Sequence, residues 1–194
     1  VVDLPGGVSV IANNTWRAFQ AVQAVQCDWA EPGYPASTTA MMDSIVASMA
    51  AKDHDSRLRD DGNVDKTLAG GTVLEAEYRV PFLAHATMEP MNAVAWLQGG
   101  KLDIWAGVQN PTAARDLAAK VAGLDVAQVH LHVMLMGGGF GRRLEVDYVV
   151  QATQLALAMA GRPVKLTWRR EEDMAQDFYR PAAVARLRGT TAAK

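Results

Sequence analysis

The sequence predicts an α+β fold: a two-layer mixed α/β sandwich preceded by a short β-α-β piece. Three observations predict it. From Thr72 onward, apolar or alternating runs of strand length trade places with alanine-rich runs of helical period. Glycine and proline stand where such elements should begin and end, with Gly99-Gly100 between two strand-like runs, Pro111 opening a helical run and Gly123 closing it. The 194 residues are 49% apolar and 21% charged, the balance of a chain that folds around its own core.

Each element has its own reason. Residues 8 to 12 (VSVIA) are apolar and β-branched, as in a buried strand, and Asn14 is placed to cap the helix that follows. That helix carries Trp16, Phe19, Val22 and Val25 at helical spacing, and QCDWA then reads as a second strand, closing the β-α-β piece. Residues 31 to 71 change character. They hold Pro32, Gly33, Pro35, a mildly helical stretch from Met41 to Ala51, the charged run KDHDSRLRDDGN and Gly70-Gly71, which mark a linker or excursion between domains. TVLEAEYRVPF then alternates like a half-buried strand, and NAVAWLQGGKLDIWAGVQ reads as a hairpin. PTAARDLAAKVAG is a helix, VAQVHLHVMLM a strand, Glu145 to Met159 a helix stopped by Gly161, and PVKLTWRR and PAAVARLRG are strands. From Asn92 the run reads β-β-α-β-α-β-β, with the TVLEAEYRVPF strand before it.

Charge and cysteine content exclude several functions. Nineteen Lys and Arg against 21 Asp and Glu leave a net charge of −2 with no basic run, so neither a nucleic acid nor an anionic membrane surface is an expected partner. With Cys27 alone there is no internal disulfide and no cysteine-ligated metal centre. No apolar run approaches the roughly 18 residues of a spanning helix. The chain opens on Val1 within a strand-like run, so it is expected to be a piece of a longer polypeptide whose targeting signal would not be visible here.

The sharpest local feature is Gly137-Gly138-Gly139-Phe140-Gly141-Arg142-Arg143, set between a strand and a helix. Consecutive glycines are placed where the main chain takes positive φ or lets another group come close. Their amides, with a helix N-terminus behind them, can nest an anion, and Arg142 and Arg143 would add fixed positive charge. The alternative is a tight strand-to-helix turn with no ligand. The segment fits neither the dinucleotide fingerprint nor the P-loop. In PFLAHATMEPMNAVA, residues 81 to 95, His85 and Glu89 could either bind a ligand or cap neighbouring backbone.

These segments together resemble a known family. PFLAHATMEPMNAVA, WAGVQNPTAARDLAAKVAG, MGGGFGRR, GRPVKLTWRREEDM and YRPAAVARLRG occur in this order in the molybdenum hydroxylases, the superfamily of xanthine dehydrogenase, aldehyde oxidase and carbon monoxide dehydrogenase. The MEPMN, GGGFGRR and WRREEDM forms are most similar to the beta subunit of isoquinoline 1-oxidoreductase and its relatives, bacterial proteins of cytoplasm or periplasm. The resemblance implies a molybdopterin-binding sandwich in residues 72 to 194 and the end of an α/β hammerhead-like domain in residues 1 to 30. It implies oxidation of an N-heteroaromatic or aldehyde substrate with oxygen from water. The cofactor would be a molybdenum–pterin, in bacterial members usually the cytosine dinucleotide, and a small partner subunit would carry two [2Fe–2S] clusters. Carried over by position, Gly137, Gly138, Gly139, Phe140, Gly141 and Arg142 form the cofactor-binding set, with Phe140 flanking the substrate.

Two departures bear on the substrate. Leu144 stands where xanthine dehydrogenases carry a glutamate, and Leu83 where they carry a glutamine, so a xanthine-type substrate is not expected. The family's catalytic base lies beyond Lys194, so this stretch supplies no catalytic residue and is expected to be inactive alone. A competing function is a non-catalytic assembly module that keeps the scaffold to dock a partner.

Other residues read as structural. His130 and His132 share a strand face but have no carboxylate or cysteine at useful spacing, so they are read as solvent- or partner-facing. Arg169 to Asp173 reads as a solvated strand end with local ion pairs. Cys27 is expected in the core, and Met88, Met91, Met134, Met136 and Met159 are expected to fill core gaps.

Overall fold

The computed structural model describes residues 1–53 and 55–191; His54 of the charged run and the last three residues of TTAAK lie outside the described residues. The chain divides into two compact units, one formed by residues 1–28 and 84–178, the other by residues 29–83 and 179–194.

The first unit is built on a four-stranded sheet whose strands lie in the order Val129–Val133, Lys101–Ala106, Asn92–Gln98 and Val164–Thr167. Strands β4 (Asn92–Gln98) and β5 (Lys101–Ala106) form the expected hairpin. Gly99 and Gly100 take φ of 59° and 74° between them, the pair of positive values that a two-residue turn of matching twist requires. Strand β6 (Val129–Val133) runs parallel to β5, and β7 (Val164–Thr167) antiparallel to β4. Helices α4 (Pro111–Ala122) and α5 (Asp147–Ala158) cover one face. Alternation assigns that face: Ala93, Ala95, Leu102, Ile104, Ala106, Val164 and Leu166 are buried beneath them. The helices answer with Ala114, Ala118, Ala119, Ala152 and Ala156, small side chains that let helix and sheet approach closely.

The ends of α4 follow the sequence signals. The Asn110 side chain accepts from the Ala113 N–H, Pro111 occupies the first turn, and Gly123 closes the helix in the left-handed region. At the front of the unit, β1 (Val2–Leu4) and β2 (Gly7–Ser9) pair as a hairpin, and Asn14 caps α1 (Thr15–Gln23) as expected. Val2, Leu4 and Ile11 pack against the main core. The QCDWA strand does not form, so the opening is β-β-α and not β-α-β. With no second strand beside it Cys27 is exposed, contrary to the core placement expected.

The second unit contains α2 (Thr38–Ser48), α3 (Val64–Leu68) and the two-stranded ribbon β3 (Val73–Val80) and β8 (Ala183–Thr190). All eight residues of β3 are exposed, so its alternation does not mark a half-buried strand. It marks an amphipathic ribbon. Leu74, Ala76, Tyr78 and Val80 lie on one side, and Glu75, Glu77 and Arg79 on the other, where Glu77 pairs with Arg186 of β8 at 2.6 Å. From Val73 the chain therefore runs β-β-β-α-β-α-β-α-β. The extra helix is α6 (Arg170–Ala175), where a strand end was expected; the expected local ion pairs Arg169–Glu172 and Arg170–Asp173 do form. Met91 is fully buried and Met159 packs on the core, but Met88, Met134 and Met136 are exposed and fill no gap. Among the described residues no helix is long and apolar enough to cross a membrane.

Candidate functional site

Strand β6 stops at Val133, and the Met134 N–H still reaches the Ala106 carbonyl before the chain leaves the sheet into the glycine turn. The turn does not run straight into α5. A 3-10 turn, Arg142–Leu144, intervenes, so the helix N-terminus does not back the glycines as expected, and Asp147 occupies its first turn.

The glycines leave room for other side chains. A Cβ on Gly137 would lie 2.7 Å from the Glu89 Cβ, one on Gly139 would lie 2.5 Å from Gln109 Oε1, and one on Gly141 would lie 3.2 Å from His85 Nε2. Three polar side chains thus occupy the places where these residues would have carried side chains of their own. Two of them also hold the main chain. Glu89 Oε2 accepts from the Gly137 N–H at 2.7 Å, and Gln109 Oε1 accepts from the N–H groups of Gly141 (3.1 Å) and Arg143 (3.3 Å). The amides of Gly138, Gly139 and Phe140 have no acceptor among the described residues. Three neighbouring donors remain free in a turn otherwise fully tied down.

Phe140 sits at φ 53° and is 68% exposed. The left-handed region is strained for a phenylalanine, and such strain persists where the surroundings over-determine it, commonly at binding sites. Gly138 and Gly141, at φ 101° and 105° on either side, supply the remaining curvature.

The two arginines do not add charge at the surface. Arg142 is 1% exposed and Arg143 is 0% exposed. Arg142 forms a two-pronged pair with Asp147, both contacts 2.9 Å, with its Nε 3.3 Å from Asp177 and its guanidinium between the rings of Trp168 and Phe178. Arg143 donates to Glu89 (2.8 Å) and to the carbonyls of Gly107, Gly138 and Glu89. A buried guanidinium needs this many acceptors, and Arg143, satisfied in this way, locks the turn in place; Arg142 holds Asp147 with both terminal nitrogens while its Nε makes no hydrogen bond. Arg142 accordingly supports the turn from within and leaves the set of side chains offered to a ligand.

The capping alternative for Glu89 is the one the structure adopts. Burial pushes its carboxyl upward, but the Gly137 N–H, Asn92 and Arg143 outweigh that and hold it below the usual carboxylate range. Arg170, from the WRREEDM segment, donates to the carbonyls of Thr87 (2.5 Å) and Met88 (2.9 Å) and pairs with buried Asp173, whose carboxyl is raised by burial. Asp177, 2% exposed, accepts from the main-chain N–H of His85 (2.5 Å) and from its Nδ1 (2.9 Å). The three segments that looked separate in sequence are one construction: HATMEP lies beneath the glycine turn, and the RREEDM helix and Asp177 fasten HATMEP.

Gln109, Arg170 and Asp177 escaped sequence reasoning, since each acts on a segment distant in the chain; Asp147, five residues after the Arg142 it holds, escaped it as well. His130 and His132 do face a carboxylate. Parallel pairing sets Asp103 opposite His130, 3.6 Å from its Nδ1 and 3.0 Å from His132 Nε2. Register across strands, invisible to local spacing, brings it there. Among the described residues no group of three or more His, Cys, Asp or Glu is arranged to hold a metal ion.

Residues 47–193 match the model of the molybdopterin cofactor-binding domain. The chain belongs to that family. Among relatives of the molybdopterin-binding domain, a membrane-bound aldehyde dehydrogenase of Gluconacetobacter polyoxogenes, named for pyrroloquinoline quinone, is 33% identical over 94% of this chain and 24% of its own length. The isoquinoline 1-oxidoreductase beta subunit of Brevundimonas diminuta is 36% identical over 57% of this chain and 14% of its own. The xanthine dehydrogenase molybdenum-binding subunit of Escherichia coli O157:H7 is 28% identical over 84% of this chain and 22% of its own. The chain thus spans no more than about a quarter of these relatives. The fold is that of quinoline 2-oxidoreductase from Pseudomonas putida 86, with a TM-score of 0.63 and 22% identity over 84% of this chain and 21% of that one.

Proposed function

We propose that this molybdopterin-binding segment supplies one wall of the molybdenum–pterin site in the large subunit of a molybdenum hydroxylase acting on an N-heteroaromatic, isoquinoline-like, or aldehyde substrate. One observation carries the reading: the free N–H groups of Gly138, Gly139 and Phe140 beside an exposed, strained Phe140. Those donors fit the anionic oxygens of a pterin cofactor, and the cytosine dinucleotide is the proposed form. When bound, the group would supply the two-electron oxidation by which the substrate carbon gains an oxygen from water.

The chain's own residues do the positioning. Gly138, Gly139 and Phe140 donate main-chain hydrogen bonds, Gly137 and Gly141 fix the ends of the turn through Glu89 and Gln109, and the Phe140 ring is the surface against which a flat substrate lies. No proton-transfer residue is assigned here; the base and the remaining cofactor contacts belong to the rest of the subunit. Electrons leave toward two [2Fe–2S] clusters in a small partner subunit.

Analysis of the intact subunit, expressed with its partner, tests the proposal. Molybdenum near one per subunit, with a fluorescent pterin released on oxidation, is the expected result. Neither in a folded complex, or pyrroloquinoline quinone in their place, refutes it.

A further inference from the structure

Once Glu89, Gln109 and the buried arginines are accounted for, one polar side chain beneath the turn has a function still unfilled. His85 has only 9% of its side chain exposed. An ionised Asp177 can only accept, so His85 Nδ1 carries the proton of that bond and the ring orientation is set. That turns Nε2 onto Gly141, where it is the nearest atom to the place a Cβ would take, and Nε2 has no partner among the described residues. Asp177 also approaches Arg142, so one carboxylate fixes the residues on both sides of Gly141. An imidazole nine-tenths covered, oriented by a carboxylate and left with one unbonded ring nitrogen at the turn is placed to meet a ligand.

We propose that His85 is a ligand-binding residue of the glycine turn, its Nε2 bonding to an anionic oxygen of the group held by the amides of Gly138, Gly139 and Phe140. This rests on the molybdenum–pterin reading above and adds a side-chain contact to it. The donor set is consistent. A bond from Nε2 to an anionic oxygen requires a proton on that nitrogen, which makes it a fourth N–H beside three amides.

Two measurements on the intact subunit with its partner test this. In the wild type, diethyl pyrocarbonate acylates the accessible imidazole nitrogen of His85, read by mass spectrometry with and without bound pterin. Pterin is expected to slow the modification several-fold, and equal rates overturn the proposal. In variants, pterin content per subunit is compared with the unfolding midpoint of the cofactor-free form. His85→Gln keeps a polar atom near Nε2, whereas His85→Asn keeps one near Nδ1 for Asp177. His85→Asn is expected to hold about tenfold less pterin at an unchanged midpoint, the share one hydrogen bond to a charged group takes from a binding equilibrium. His85→Gln is expected to retain most of it. Wild-type content in His85→Asn, or a lower content in His85→Gln than in His85→Asn, overturns the proposal. A wild-type subunit without pterin overturns the functional reading as well, which separates the two failures.

Discussion

Replacing Gly139 by alanine isolates the way the turn is built. Gly139 does not have a positive φ, so its backbone accepts alanine; the obstacle is Gln109. The new Cβ would lie 2.5 Å from Oε1 and 2.8 Å from Cδ of that side chain, against the roughly 3.5 Å of an ordinary contact. Gln109 must withdraw, and the N–H groups of Gly141 and Arg143 lose their acceptor. Two hydrogen bonds at about 1 kcal/mol each, with about 1 kcal/mol of residual crowding, make the cost about 3 kcal/mol. For a chain of this size that lowers the unfolding midpoint by about 6–12 °C, followed by circular dichroism. Gln109→Ala alone loses the two bonds but not the space, about 2 kcal/mol. The double variant should cost no more than Gln109→Ala, a coupling of about 3 kcal/mol. Additive losses, or a Gly139→Ala midpoint within about 2 °C of wild type, would refute the packing argument.

Three further outcomes follow from the same geometry. The folded Glu89 carboxyl is held below its unfolded value of about 4.3. Its contribution is therefore complete above that pH and lost as pH falls through the folded value. Glu89→Gln should lower the midpoint at pH 7 and flatten its decline in acid, and an unchanged acid limb would contradict this. Phe140→Ala should leave the midpoint within about 2 °C, since the ring is exposed and surface changes cost within about 0.5 kcal/mol. It should strongly reduce turnover by the assembled subunit; unaltered turnover would remove Phe140 from the substrate wall. Asn110→Ala removes the cap of α4 and should cost about 1 kcal/mol in urea unfolding.

Elements whose signals are local were legible in the sequence. The Gly99-Gly100 hairpin and the Asn110, Pro111 and Gly123 limits of α4 stand where turn and cap chemistry put them. QCDWA has strand-like composition, but a strand exists only with a partner, and none pairs with it. The arginines show the same limit at the site. GGGFGRR reads as glycines beside exposed charge, yet Arg143 is claimed by Glu89, 54 residues back in the chain. His85 likewise finds Asp177 across 92 residues. Resemblance to the family located the turn, but the reason Gly137, Gly139 and Gly141 are needed lies in three side chains that no spacing rule connects to it.

The most direct test is hydrogen exchange at the turn itself, comparing the intact subunit with and without its pterin. The account predicts that exchange slows on loading at the amides of Gly138, Gly139 and Phe140. Those of Gly137 and Gly141, already bonded to Glu89 and Gln109, should change little. Unaltered exchange at residues 138–140 in a subunit shown to hold pterin would contradict it and leave the glycines as a support for the chain alone.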